Sequence, residues 1–363
     1  MTDEIPPRKP LPYWRSLVAI AAMAGSMLVA FAGAELWKAC HLPLPWLVGS
    51  LYAVAFARMA GLPLQAPPGA RQGGQWVIGT NMGLYFTSAV LAQLLDHTLL
   101  IAGMALTSLL MGMLAAAALV RLRLADLPTA FFACMPGGAS EMANLSDLWH
   151  AAVDKVAAAH AVRVMLVVLI VPLVLTWTAS HGDAASAMPP RPVDWLQFPL
   201  MIGVSLSAVA LMMVLDLPNA WVLGTLAGIG SLGVAGVSLS ALPPWLTASG
   251  QLLIGVALGN RFSPGFLRRS PAFLAGIAVV SLMFIIATGV LSLPLSGMTG
   301  VQAAGIMLSF APGGIAEMSI TASQLNLAVP LVVASHIARL VLLMVLATPA
   351  FRLFSSVMAR KIK

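Results

Sequence analysis

The chain has 363 residues, of which 60% are hydrophobic and only 9% charged, whereas roughly a quarter are charged in ordinary soluble domains. That balance excludes a soluble globular enzyme and implies a polytopic membrane protein. The net charge of +7 raises the question of a nucleic-acid partner, but no basic stripe with interleaved aromatics forms a phosphate-binding face, so direct nucleic-acid binding is not expected.

Residues 1–16 read as a cytoplasmic tail containing Arg8, Lys9 and Arg15. The apolar run from Leu17 to Leu36 carries Ala30-Phe31-Ala32, which imitates a signal-peptide cleavage site. Its length of about 20 residues suits a span better than the 7–15 of a signal core, and it aligns with the internal segment Trp195 to Leu215. It is therefore read as a first transmembrane helix. Further apolar segments near 44–60, 75–95, 98–120, 128–145 and 156–179 complete a first repeat over 17–179. Cys40 and Cys134 lie in or beside these segments, outside any CxxC or Cys/His cluster, and read as packing residues. A linker over 180–194, with Pro189, Pro190 and Pro192, leads to a second repeat over 195–353. Its segments lie near 195–215, 219–238, 248–262, 272–293, 300–320 and 328–351, and 354–363 reads as a basic cytoplasmic tail.

The duplication is carried by motifs. Pro136-Gly137-Gly138-x-x-Glu141-Met142 recurs as Pro312-Gly313-Gly314-x-x-Glu317-Met318, and His160-x-x-Arg163 recurs as His336-x-x-Arg339, each displaced by 176 residues. His41-Leu-Pro43-Leu-Pro-Trp46 matches Asp216-Leu-Pro218-Asn-Ala-Trp221, and Gln75-x-x-Ile78-Gly79 matches Gln251-x-x-Ile254-Gly255. Between Phe273 and Phe351 the charged residues are Glu317 and Arg339 alone. An isolated ion in hydrocarbon costs several kcal/mol, so the two are expected to face each other or a wet cavity.

The basic residues set the expected topology. They cluster at the N-terminus, at Arg58 and Arg71, at Arg121 and Arg123, at Arg261, Arg268 and Arg269, and at Arg352, Arg360, Lys361 and Lys363. The loops matching these in the other copy, such as Asp96-His97 and Pro294 to Thr299, are nearly free of bases. By the positive-inside rule the two copies are inverted, which requires an odd number of crossings in each. The Pro-Gly-Gly segment is the natural exception, since Pro and Gly break a helix and broken backbone at membrane depth must be satisfied by protein or water. The expected fold class is an all-α polytopic membrane protein: two inverted repeats of about five transmembrane helices, each with one broken or re-entrant Pro-Gly-Gly segment. Both termini are then cytoplasmic, and the broken segments meet near the midplane, where secondary transporters hold substrate.

The paired motifs, with their fixed order and spacing over Leu17 to Phe351, resemble the AbrB-duplication family of bacterial integral membrane proteins. The resemblance implies an inner-membrane protein whose relatives are labelled both regulators of gene expression and ammonia monooxygenases. It also implies an architecture similar to the cation/proton antiporter and anion transporter group. The small soluble DNA-binding regulator that shares the family name has no similarity to this chain.

The residues assigned to a solute or ion site are Gly137, Gly138, Glu141, Asn144, His160 and Arg163 from the first copy, with Gly313, Gly314, Glu317, His336 and Arg339 from the second. A helix restarting after Gly-Gly offers free N–H groups and a positive dipole end to an anion, while the glutamates can carry a proton or bind a cation. The competing reading is structural, with Pro-Gly-Gly letting helices cross closely and each Glu neutralised by its own Arg. The histidines either titrate in a coupling cycle or hydrogen-bond a broken-helix carbonyl. Gln75 and Gln251 read as helix packing or cavity lining, and Glu35, Asp126 and Asp216 as solvated segment ends. Asn144 and Asp147 stand opposite Ile320 and Ser323, and Asp154-Lys155 opposite Pro330-Leu331, so the half-sites are inequivalent and the first copy is expected to contribute more solute contact. No HExxH, Gly-x-Ser-x-Gly or Walker motif is present, so neither enzymatic activity nor a cofactor or metal is expected. The expected partners are membrane lipid, a small-molecule or ion substrate and, as an open alternative, a second copy of the chain. The leading expectation is a secondary transporter of a small solute, possibly coupled to protons or cations. The alternative is a membrane protein that alters gene expression indirectly, having no cytoplasmic part large enough to bind DNA.

Overall fold

The computed structural model describes residues 13–178, 191–268 and 270–362, and among these every regular element is helical. Most of the linker and the ends of both tails lie outside the described residues. In the first half, α1 (Tyr13–Ala39) is followed by a π-turn at Pro45–Gly49 that runs into α2 (Ser50–Met59). Then come α3 (Ala70–Gly83), α4 (Ser88–Asp96), α5 (Thr98–Arg121), α6 (Leu127–Cys134), α7 (Ala139–Leu148) and α8 (Val153–Trp177). The second half comprises α9 (Phe198–Val214), α10 (Ala220–Val234), α11 (Pro244–Gly259), α12 (Pro271–Thr299), α13 (Ala303–Phe310), α14 (Ile315–Gln324) and α15 (Val329–Ile362). The bounds of α6 and α7 map onto those of α13 and α14 at the motif offset of 176, and α8 and α15 begin at that same offset.

Packing repeats along with local structure. α1 lies on α2 as α9 lies on α10; α3 packs on α10 as α11 packs on α2; α5 packs on α15 as α12 packs on α8. The halves are thus joined by reciprocal contacts. Glycines set the closest of these. A Cβ on Gly79 would overlap the Thr225 hydroxyl and approach the Val222 carbonyl to 2.7 Å, and one on Gly255 would overlap the Ser50 hydroxyl and approach the Leu47 carbonyl to 2.8 Å. This is the close packing that Gln75, Gln251 and their following glycines suggest.

Six stretches, Leu17–Ala39, Thr98–Arg121, Val153–Trp177, Trp195–Val214, Pro271–Thr299 and Val329–Met358, are long and apolar enough to cross a membrane. They belong to α1, α5, α8, α9, α12 and α15. The second and third segments of each copy form shorter helices. α3 has 14 residues and α11 has 16, or about 21–24 Å at 1.5 Å per residue, less than a core of about 30 Å. The segment read as 75–95 is two helices: the chain turns after Gly83, which is pressed against Ile229, and restarts where Thr87 caps α4 by accepting from the Val90 N–H at 3.3 Å. Asp126, read as merely solvated, caps α6 by accepting from the Thr129 N–H at 3.3 Å. At the C-terminus, α15 continues through the stretch read as a tail, burying Phe354 and Met358. Phe351 and Phe354 stack against Phe131 of α6 at centroid separations of 5.2 and 5.4 Å. The aromatic core of the second half's last helix is therefore completed by the first half.

Candidate functional site

Each broken segment is built by its own motif. The backbone of Gly138 is extended (φ −66°, ψ 140°), as is that of Gly314 (φ −83°, ψ 161°), both within reach of any residue. Glycine is required there for space. Glu141, third residue of α7, folds back so that a Cβ on Gly138 would overlap its carboxylate, and Glu317 of α14 lies over Gly314 in the same way. Gly137 leaves room for Met142, whose Cε would sit 2.9 Å from an added Cβ, and Gly313 does the same for Met318. Proline, two glycines, glutamate and methionine thus form one folded unit, which explains the motif position by position.

The arginines terminate the helices that precede each break. Arg163 donates to the carbonyls of Met135 at 2.9 Å and Cys134 at 3.4 Å. Arg339 donates to those of Ala311 and Gly313, each at 2.7 Å. Carbonyls at the C-terminal ends of α6 and α13 have lost their intrahelical donors, and a cation there also offsets the negative end of the dipole. Of the two expected placements for Glu317 and Arg339, facing each other or facing a cavity, the second holds: no ion pair joins them, and both line the cavity described below. Without that pair, the reading in which each Glu is neutralised by its own Arg falls.

The histidines differ. His160 bonds through Nε2 to the Phe132 carbonyl at 3.1 Å, so that Nε2 carries the proton and Nδ1 accepts from Arg163 at 2.7 Å. This is the carbonyl bond foreseen as one alternative. His336 instead donates from Nδ1 to Val332 of its own helix at 2.9 Å, and its Nε2, in a side chain only 1% exposed, has no partner.

Both units open on one cavity of about 100 Å³. Of the residues assigned from sequence, Gly137, Gly138, His160, Arg163, Gly313, Gly314, Glu317, His336 and Arg339 line it. Glu141 reaches its edge, accepting from Asn219 Nδ2 at 3.4 Å while its other oxygen is buried and unpartnered. Asn144 does not belong to the site: it lies on the exposed face of α7, whereas Ile320 at the matched position is buried in α14. The halves are inequivalent because α14 is enclosed on nearly every side and α7 is not.

Sequence reasoning missed Arg71, Asn219 and Arg261, all of which line the cavity. In sequence Arg71 and Arg261 read as loop charges that set topology, although Arg261 lies two residues beyond α11, the helix carrying Gln251 and Gly255. That adjacency was the available signal. A second cavity of about 440 Å³ shares Ala139 and Arg261 with the first and is bounded by Asp154, Lys155, Phe266, Phe273 and Leu274.

Long apolar helices and a cavity closed by two interrupted helices define a polytopic helical membrane protein with an internal cavity. The chain belongs to the AbrB family: the family described as transition state regulatory protein AbrB matches residues 46–355. It is similar to YhjN of Bacillus subtilis (strain 168), whose name assigns no function, with 27% identity covering 93% of this chain and 91% of the relative. It is also similar, at 26% identity over 89% of this chain and 93% of the relative, to a protein of Escherichia coli (strain K12) whose name casts it as a regulator, AbrB.

Proposed function

We propose that the protein is a secondary transporter of a small solute, residing in the bacterial inner membrane, with its site at the two Pro-Gly-Gly motifs. The observation that carries this reading is convergence: interrupted helices, one from each half, present their restarting ends to one polar cavity with matched His and Arg groups. Such convergence at a repeat interface suits alternating access, in which one half rocks against the other around a fixed site. In the proposed topology the halves are inverted, both termini are cytoplasmic, and the second cavity opens to the cytoplasm at the starts of α8 and α12. Glu141 and Glu317 serve as the groups that exchange a proton or cation. The chain is proposed to act without enzymatic chemistry or a cofactor.

The test is flux in proteoliposomes under an imposed proton or sodium gradient, with solutes chosen by comparing metabolites inside and outside deletion and overexpression strains. Glu141→Gln and Glu317→Gln are expected to abolish flux or its dependence on the gradient. Wild-type flux in both well-folded variants would return the glutamates to a structural role. The regulator name of one relative supports a second reading, an indirect effect on gene expression through the level of an internal signal. Wild-type protein that moves no solute while its deletion alters transcription would favour that reading.

A further inference from the structure

Resting on the carrier reading and deepening it, we infer that the solute is a small carboxylate whose head is held in the inner cavity by Arg261. Four arginines line that cavity, Arg71, Arg163, Arg261 and Arg339, against Glu317 on the wall and Glu141 at its edge. With neutral histidines the lining carries more positive than negative formal charge, which in a region of low dielectric favours an anionic guest. Arg163 and Arg339 are committed to helix-end carbonyls. Arg261 stands apart: its electrostatic neighbours are Arg71, Glu317 and Glu141, and it lines both cavities.

A further observation points to a polar ligand. His336, 1% exposed, lines the same cavity and has an unpartnered Nε2, and a buried polar atom of this kind calls for a hydrogen-bonding ligand rather than an apolar one. Size narrows the class. A cavity of about 150 Å³ holds benzene, so about 100 Å³ admits a head group, while the body of the solute extends past Arg261 along Phe266, Phe273 and Leu274 of the second cavity.

The experiment measures the thermal midpoint of the purified full chain in detergent at constant ionic strength, with propionate, lactate, inorganic phosphate, choline or glucose added. Propionate or lactate is expected to raise the midpoint saturably by about 2 °C or more, with choline and glucose without effect. Arg261→Gln should abolish the rise, Arg261→Lys should weaken apparent affinity about tenfold by losing the guanidinium fork, and exposed Arg121→Gln should retain it. If Arg261→Gln does not fold, the lysine variant decides. No carboxylate-dependent rise in the wild type, or an undiminished one in the folded Arg261 variants, overturns the assignment. Phosphate matching the carboxylates would make this an inorganic-anion site, and displacement of carboxylate by phosphatidylglycerol but not phosphatidylcholine vesicles would make it a lipid-headgroup site; either result overturns the proposal. Flux of a cation or neutral solute without carboxylate binding would sink the anion assignment and leave the carrier. Carboxylate binding without flux of any solute would sink the carrier reading and leave the anion site.

Discussion

At the scale of single residues, the motif works through contact. Because only the far end of the Glu317 side chain occupies the space of a Cβ at Gly314, the carboxylate can swing aside and Gly314→Ala is expected to cost about 1 kcal/mol, the low end of overpacking. Combined with Glu317→Ala the cost should be clearly smaller. Thermal unfolding of the single and double variants checks this, and full additivity would mean that the carboxylate does not sit over the glycine. Arg339 binds carbonyls and not Glu317, so a double-mutant cycle of Glu317→Gln with Arg339→Ala is expected to show coupling below about 0.5 kcal/mol. The matched pair Asn144 and Ile320 separates exposure from burial. Asn144→Ala should leave stability within about 0.5 kcal/mol, whereas Ile320→Ala, at 2% exposure, should cost about 2–5 kcal/mol. Denaturant midpoints would reverse the assignment of these faces if Asn144→Ala were the more damaging.

At the scale of elements, short central helices are joined through glycine. α3 meets α10 at Gly79, and α11 meets α2 at Gly255, each beside a hydroxyl and a carbonyl of the partner helix. The equivalence predicts equal penalties: Gly79→Ala and Gly255→Ala should each lower the yield of folded protein and cost more than about 1 kcal/mol. Gly103 in α5 has no neighbour within 4 Å of an added Cβ, so Gly103→Ala should be neutral or stabilise by up to about 1 kcal/mol through helix propensity. Similar behaviour of all three, followed by fluorescence-detected size exclusion and thermal midpoint, would remove the glycines from the helix contacts. The elements also show how each break is closed within its own half. α6 and α13 are only eight residues long, and their unpaired C-terminal carbonyls depend on an arginine two helices further along the chain, in α8 and α15.

At the scale of the whole molecule, the two halves make reciprocal contacts, and the proposed orientation in the membrane rests on the distribution of bases. Moving Arg71 and Arg261 from loops to the cavity leaves Arg58, Arg121, Arg123, Arg268, Arg269 and the terminal bases to carry the positive-inside argument. In a background lacking Cys40 and Cys134, single cysteines at Asp96 and Ser296 are expected to label from the periplasm, and one at Ser270 only from the cytoplasm. Impermeant maleimide applied to intact cells and to inverted vesicles measures this. Labelling of Ser296 and Ser270 from the same side would refute the inverted arrangement.

By itself the sequence determined the membrane class, the all-helical character, the duplication and the position of both helix breaks, because these follow from composition, apolar run length and the local chemistry of Pro-Gly-Gly. It also singled out most of the cavity wall, since a polar residue repeated inside apolar sequence has few places to go. Only the tertiary structure decided what those residues touch. Arg163 and Arg339 bind carbonyls because breaking α6 and α13 orphans acceptors close to them, an event that charge counting does not register. Asn144 faces outward because α7 lies at the edge of the packing and α14 lies within it. Arg71 and Arg261 enter the site because long side chains at the ends of α3 and α11 reach across distances that sequence separation conceals.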